Sequence, residues 1–281
     1  GVDGMTDGAI PPLPDSVRKV LAVAEGKQDA ATLAAAAEFA ARHDATLSLI
    51  ACVQPPSDLD RLARSTGVSA CRLTGKLVED CREALFGLAR ANGLVDPQSI
   101  HVTLGKPFLE ISRHVAMNGI DLVVKAADRL RVSGRFHFAS TDQHLVRKCP
   151  CTIWLRIPGA PHPPATILAA VDVDDWDARE PETLAALNRR IVETALRLAS
   201  GPDAVIHVLH AWDAPGDGLV GLFGSGEDPR IAAQYYLNDV QSVHEASLHR
   251  LISPYRALTE QTDGPMILPA LGKGVVRSII A

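Results

Sequence analysis

Two apolar stretches, KVLAVAEG at Lys19–Gly26 and TILAAVDV at Thr166–Val173, lie 147 residues apart in a chain of 281, each with an acid at its seventh position. The next stretches, ATLSLIACV (Ala45–Val53) and AVIHVLHAW (Ala204–Trp212), match at an offset of 159, and LGK recurs at Leu104 and Leu271, an offset of 167. A chain that runs apolar stretch, helical pattern, apolar stretch twice over is confined to repeated βαβ units. Such units make right-handed crossovers and a parallel sheet. The growing offset predicts two insertions in the second copy. One lies around DAREPETLAALNRR, and the other includes the glycine-rich DAPGDGLVGLFGSGEDP (Asp213–Pro229), which reads as a mobile loop.

In the first copy the periodicity predicts helices near Ala30–His43, Ser69–Asn92, Phe108–Asn118 and Thr141–Lys148. DLVVKAA (Asp121–Ala127) and CTIWLRI (Cys151–Ile157) then supply the fourth and fifth strands. The proline-rich PGAPHPPA, Pro158–Ala165, reads as a linker between a domain at 5–158 and a second at 165–281. Gly1–Gly4, ahead of Met5, read as a tag remnant. The second copy is expected to be truncated before its fourth strand, because only VVRSIIA, the start of a helix, follows its third.

An apolar content of 47% over this length is enough for two cores, and 28 basic against 33 acidic residues leave a net charge of −5 with no basic stripe, which argues against nucleic acid as a partner. No apolar run approaches the roughly 18 residues of a membrane span, and the first residues lack the apolar core of a signal peptide. The chain is expected to be cytoplasmic, with no membrane partner. Five cysteines without repeated CxxC spacing read as thiols rather than a zinc site, and Cys149-Pro-Cys151 reads as structural rather than redox-active.

The endings VLAVAEG and ILAAVDV, the pattern VIHVLHAW, the LGK before the third helix, and above all DLVVKAAD followed by TDQHLVRKCPCTIWLR resemble the universal stress protein family in its tandem two-domain, E-type form. The resemblance implies two tandem Rossmann-like α/β units of strand order 3-2-1-4-5, the second incomplete. In nucleotide-binding members a G-x2-G-x9-G-(S/T) loop follows the fourth strand, where glycines let backbone N–H groups close on phosphate. Carried onto this chain, the three glycine positions fall at Ala126, Arg129 and Ala139, with the hydroxyl kept at Ser140. The loop therefore has the frame of a phosphate cradle without its chemistry, and no ATP is expected there.

The resemblance also implies a carboxylate after the first strand, Glu25 in the first half and Asp172 in the second, with Ala170 and Ala211 on the adenine side of the second half. ATP is thus a possible cofactor only in the second half of an untruncated parent. DRLRVSGR, with Arg129, Arg131 and Arg135, reads as a solvated loop before an anion site. His207 and His210, three apart on a strand, point to opposite faces and cannot share an ion. His144 reads as a packing or capping residue. Asp172, Asp174, Asp175 and Asp177 form an acidic turn that reads as a solvated helix entrance before a Mg2+ site. No metal and no catalytic residue is assigned.

The function expected from this reading is stress response by ligand binding or assembly, without catalysis. Its rivals are a nucleotide-handling enzyme (a weak ATPase or adenylyl transfer) and a carrier of an apolar ligand, which an enclosed pocket would support. A homo-oligomer is expected through the edge at Cys151–Ile157, which has one charge, Arg156, and no proline.

Overall fold

The computed structural model describes residues 17–25, 30–94, 99–132, 135–138, 140–157, 159–174, 179–199, 201–214, 216, 219 and 228–273. The chain forms two compact units that divide between Pro161 and His162.

The first unit runs β1 (Lys19–Val23), α1 (Ala30–Arg42), β2 (Thr46–Val53), α2 (Leu59–Thr66), α3 (Ala70–Ala91), β3 (Ile100–Leu104), α4 (Pro107–Asn118), β4 (Leu122–Ala126), β5 (Arg129–Val132), β6 (Arg135–Phe138), α5 (Ser140–Lys148) and β7 (Thr152–Arg156). Its main sheet is parallel throughout, in the order β3-β2-β1-β4-β7. Counting main strands alone, this is the expected 3-2-1-4-5. The central strands are covered on both faces, which is why Val20–Val23 and Leu122–Val124 are unbroken apolar runs and all buried. α1 buries Leu33, Ala36, Phe39 and Ala40, the stripe its alanine-rich sequence offers. α3 starts where the Ser69 hydroxyl accepts the Arg72 N–H at 3.3 Å, and α4 starts on Pro107 and stops at left-handed Gly119.

Two elements depart from the expectation. The short helix α2 was not anticipated, and the segment read as a loop between the fourth strand and its helix contains the antiparallel ribbon β5–β6, paired from Arg129↔Phe138 to Val132↔Arg135. RLRV and RFHF each alternate with period two around a two-residue Ser-Gly link, which is a hairpin signal. The family pattern read for phosphate contacts obscured it.

The second unit contains β8 (Thr166–Val171), α6 (Pro181–Leu198), β9 (Val205–Trp212), α7 (Pro229–Thr262) and β10 (Met266–Lys273), with a parallel sheet in the order β10-β9-β8. Its core joins Val171, Ile206 and Val208 of the sheet to Val192 of α6 and Leu248 and Ile252 of α7. The 34-residue α7 keeps Pro254 inside it. Most of the glycine-rich stretch from Asp213 to Pro229, and the whole of VVRSIIA, lie outside the described residues. No helix of the described residues is long and apolar enough to cross a membrane.

The repeat survives at the level of register. Lys19 pairs with Thr46 in the first sheet and Thr166 with Val205 in the second, which the offsets of 147 and 159 make equivalent. The next pairing does not follow suit, since Val53 pairs with Leu104 while Trp212 pairs with Lys273, two residues further along. A slip of two keeps every side chain on its own face. It also separates the roles of the two LGK glycines. Gly105 has φ +146 and a Cβ there would lie 3.0 Å from Glu110 Oε1, whereas a Cβ on Gly272 would meet only Leu209 Cδ1 at 3.9 Å. Gly105→Ala is therefore expected to cost more than about 1 kcal/mol and Gly272→Ala less than about 0.5 kcal/mol, as read from paired denaturant melts.

Candidate functional site

In a doubly wound sheet, ligands meet the crevice beyond the carboxyl ends of the strands where the strand order reverses. Here that place lies at β1 and β4, and four ionisable side chains converge on it. Glu25 follows β1, Lys125 sits within β4, Asp128 follows β4, and Asp142 stands in the first turn of α5. The Lys125 side chain has no solvent exposure. Its Nζ lies 2.6 Å from Glu25 Oε2, 3.0 Å from Asp128 Oδ2 and 3.0 Å from Asp142 Oδ1, and it donates to the Ala126 carbonyl at 3.0 Å. Asp142 is also fully buried, and its Oδ2 accepts the Asp128 N–H at 2.8 Å.

Burial alone would pull the Lys125 ammonium down, but the hydrogen bond and charge of Glu25, with Asp128 and Asp142 behind them, hold it above its ordinary 10.5. Burial pushes the Glu25 carboxyl above its ordinary 4.5, a rise that Lys125 only partly offsets. Three carboxylates thus already surround the Lys125 cation at the crevice, an excess of acidic groups over basic.

The residues carried over from the phosphate-loop pattern are dispersed around this cluster. Ala126 ends β4, Arg129 opens β5 and Ser140 opens α5, while Ala139 lies outside the described residues. His144 stacks on Phe108 with ring centroids 4.5 Å apart, in keeping with a packing role. Cys149 and Cys151 pack against the core of the first unit with their sulfurs 3.8 Å apart. The thiol hydrogen bond from Cys151 lowers Cys149 to about 7 and raises its partner.

In the second unit, Ala170 and Ala211 lie on the sheet face opposite the buried positions Ala169, Val171 and His210. Asp172 instead lines a groove of about 370 Å³ with Leu184 and Arg189 of α6 and Arg250 and Tyr255 of α7. Its backbone is clamped by the buried Asn188, whose Oδ1 accepts the Asp172 N–H at 3.1 Å and whose Nδ2 donates to the Asp172 carbonyl. The Asp172 carboxylate accepts the Asp174 N–H at 3.1 Å, which closes the turn. Asp175 and Asp177 lie outside the described residues.

That turn aims Asp174 at two buried imidazoles. Asp174 Oδ1 lies 2.8 Å from His244 Nδ1 and 3.4 Å from His210 Nε2, and the two ring nitrogens are 3.0 Å apart. His207 faces away from His210, as strand alternation requires. The partner of His210 comes from α7, 34 residues further on.

Lys125, Asp128, Asp142 and His244 are site residues that sequence reasoning passed over. Two of them left a signal: Lys125 lies inside the apolar run LVVKA, and His244 stands at helical spacing from the apolar Leu248, Ile252 and Tyr255.

Sheet order and crevice define a doubly wound α/β protein with a salt-bridge cluster at the point where the strand order reverses. Residues 16–155 match the model of the Universal stress protein family, and the chain belongs to that family. It is similar to Universal stress protein E of Escherichia coli (strain K12), at 37% identity over 98 residues that make up 34% of this chain and 28% of the relative. The matched region thus spans less than a third of that curated relative. A functionally unknown protein from Pseudomonas aeruginosa PAO1 aligns with 94% of this chain and 76% of its own, at 17% identity and a TM-score of 0.52, so the shared α/β fold extends across both units. A universal stress protein from Archaeoglobus fulgidus DSM 4304 aligns with 94% of this chain and 81% of its own, at 11% identity and a TM-score of 0.47.

Removing the lysine strands three carboxylates, so Lys125→Met is expected to cost at least about 3 kcal/mol in a denaturant melt. Glu25→Gln is expected to cost less, because the fold already disfavours the charged form of Glu25. A lysine raised above its unfolded value stabilises fully below 10.5 and loses that contribution as pH climbs through the folded value. Above pH 10.5 the wild-type melting temperature is therefore expected to fall faster than that of Lys125→Met.

Proposed function

We propose that this protein serves the stress response as a binding and assembly member of its family, without catalysis, and that its first unit holds no nucleotide. The observation that carries this reading is the Lys125 cluster, a buried cation enclosed by Glu25, Asp128 and Asp142 where a doubly wound sheet would take a ligand. A triphosphate entering there meets two buried or half-buried carboxylates and a lysine whose charge is already spoken for. Losing the cradle glycines at Ala126, Arg129 and Ala139 acts in the same direction, since backbone N–H groups need glycine to come close to phosphate. Any nucleotide contact of this protein is assigned to Asp172 in the second unit, through the sugar or base.

Titration calorimetry of the full chain with Mg·ATP is expected to show no saturable heat from the first unit. Micromolar binding that persists in Asp172→Ala and is abolished by substitution at Ser140 would sink the reading.

Assembly is proposed through strand β7, which ends the first sheet and pairs with β4 alone among the described strands. An apolar edge strand with open backbone groups favours pairing with a second copy, and the contact would be isologous. Ile153 packs against the core of the first unit, so a lysine at that position would report on folding rather than on association. Light scattering of the wild type over a wide concentration range is expected to give a dimer mass, and a monomer throughout would refute the proposal.

A further inference from the structure

We propose that Asp174, His210 and His244 form a binding site for a zinc-type divalent cation in the second unit, with one position left for a fourth ligand. The three donor atoms, Asp174 Oδ1, His210 Nε2 and His244 Nδ1, come from the turn after β8, from β9 and from α7. They form a triangle with edges of 2.8, 3.4 and 3.0 Å. Around a tetrahedral zinc with bonds of about 2.0–2.1 Å, neighbouring ligand atoms lie about 3.3 Å apart. The triangle is within about half an ångström of that size. Asp174 is the arm able to adjust, because its side chain is about a third exposed on a turn while both imidazoles are buried.

Hydrogen bonding accounts for only part of the arrangement. One N–H on a facing ring nitrogen can join His210 Nε2 to His244 Nδ1 across 3.0 Å, and that single proton does not serve the Asp174 oxygen as well. Asp174 Oδ1 is buried and, among the described residues, receives no hydrogen bond of good geometry. A cation at the centre meets all three lone pairs at once.

The surroundings fit the same occupant. His210 Nδ1 lies 3.3 Å from the Val171 carbonyl and 3.4 Å from the Val173 N–H, and once metal takes Nε2 its N–H donates to that carbonyl instead of accepting from Val173, the usual outer-shell support for a ligating histidine. The ring of Trp212, 5.6 Å from that of His244, closes one side against water. Two imidazoles and one carboxylate without thiolate suit Zn2+ and its neighbours Co2+ and Ni2+ rather than Ca2+ or Mg2+. Three protein ligands and an open position match the pattern of exchangeable rather than closed structural zinc sites. The inference is independent of the reading given for the first unit.

The full chain, stripped with a chelator and desalted, is to be titrated with Co2+ and followed by visible absorption. One equivalent is expected to produce the d–d bands of low-coordinate cobalt without a thiolate charge-transfer band, and Zn2+ is expected to displace it. Zn2+ is also expected to raise the melting temperature. Asp174→Asn is expected to weaken Zn2+ binding by at least about tenfold, the lower bound even for outer-shell losses, and His244→Gln to abolish the cobalt bands. Cys149→Ser is expected to change neither. A wild-type protein without d–d bands or a thermal shift would overturn the site and leave a histidine–aspartate hydrogen-bond triad. Bands of equal strength in Asp174→Asn would place the metal elsewhere and overturn it as well. Should His244→Gln fail to fold, the wild type and Asp174→Asn decide the matter.

Discussion

The ammonium of Lys125 has no contact with water, and the first unit is organised around that fact. A buried cation is tolerable only when it is paired and hydrogen-bonded, so β1, β4, the turn after β4 and α5 each bring an oxygen to it. Asp142 serves twice, since one carboxylate oxygen faces the lysine and the other accepts the Asp128 backbone N–H. The cluster thereby fixes how α5 approaches the carboxyl end of the sheet. The same contacts fill the carboxyl end of the sheet where its strand order reverses, so one cluster bears both on stability and on what that crevice can admit.

The second unit repeats the backbone and replaces the chemistry. β8 and β9 pair in the same register as β1 and β2, yet where Glu25 meets Lys125 the Asp172 carboxylate accepts the Asp174 N–H. Asn188 holds the turn by its backbone, Asp172 caps it, and Asp174 is delivered to a pair of buried histidines. Low dielectric makes each of these polar contacts consequential, because a buried imidazole or carboxylate without a partner is costly. The two units thus place their buried polar groups differently: as a closed salt-bridge cluster in one, and as an aspartate facing two buried imidazoles in the other.

Most of the architecture was legible in the residues themselves. Apolar runs at Lys19, Thr46, Ile100, Leu122 and Thr152 marked the five main strands, and α1, α3, α4 and α5 fell within a residue of their expected bounds. Short elements were harder to read. α2 is only eight residues long and buries none of them, so the short stripe of Leu59, Leu62 and Ala63 was too brief to read, and the β5–β6 ribbon lay inside a motif whose spacing suggested a loop. Ala170, Asp172 and Ala211 were grouped by a resemblance, while the structure puts the alanines on one sheet face and the Asp172 side chain in the groove of α6 and α7.

What the sequence by itself determined was the periodic part: strand, helix, strand, repeated, with the parallel order that right-handed crossovers impose. Periodicity is a local property, because a side chain's face follows from its own position along a helix or strand. Which charges meet is not local. Glu25 and Lys125 stand 100 residues apart, and Asp174 and His244 stand 70 apart, so no spacing in the chain could announce either pair. Only tertiary packing decided them, since a buried ionisable group must find its partner among whatever elements the fold stacks beside it.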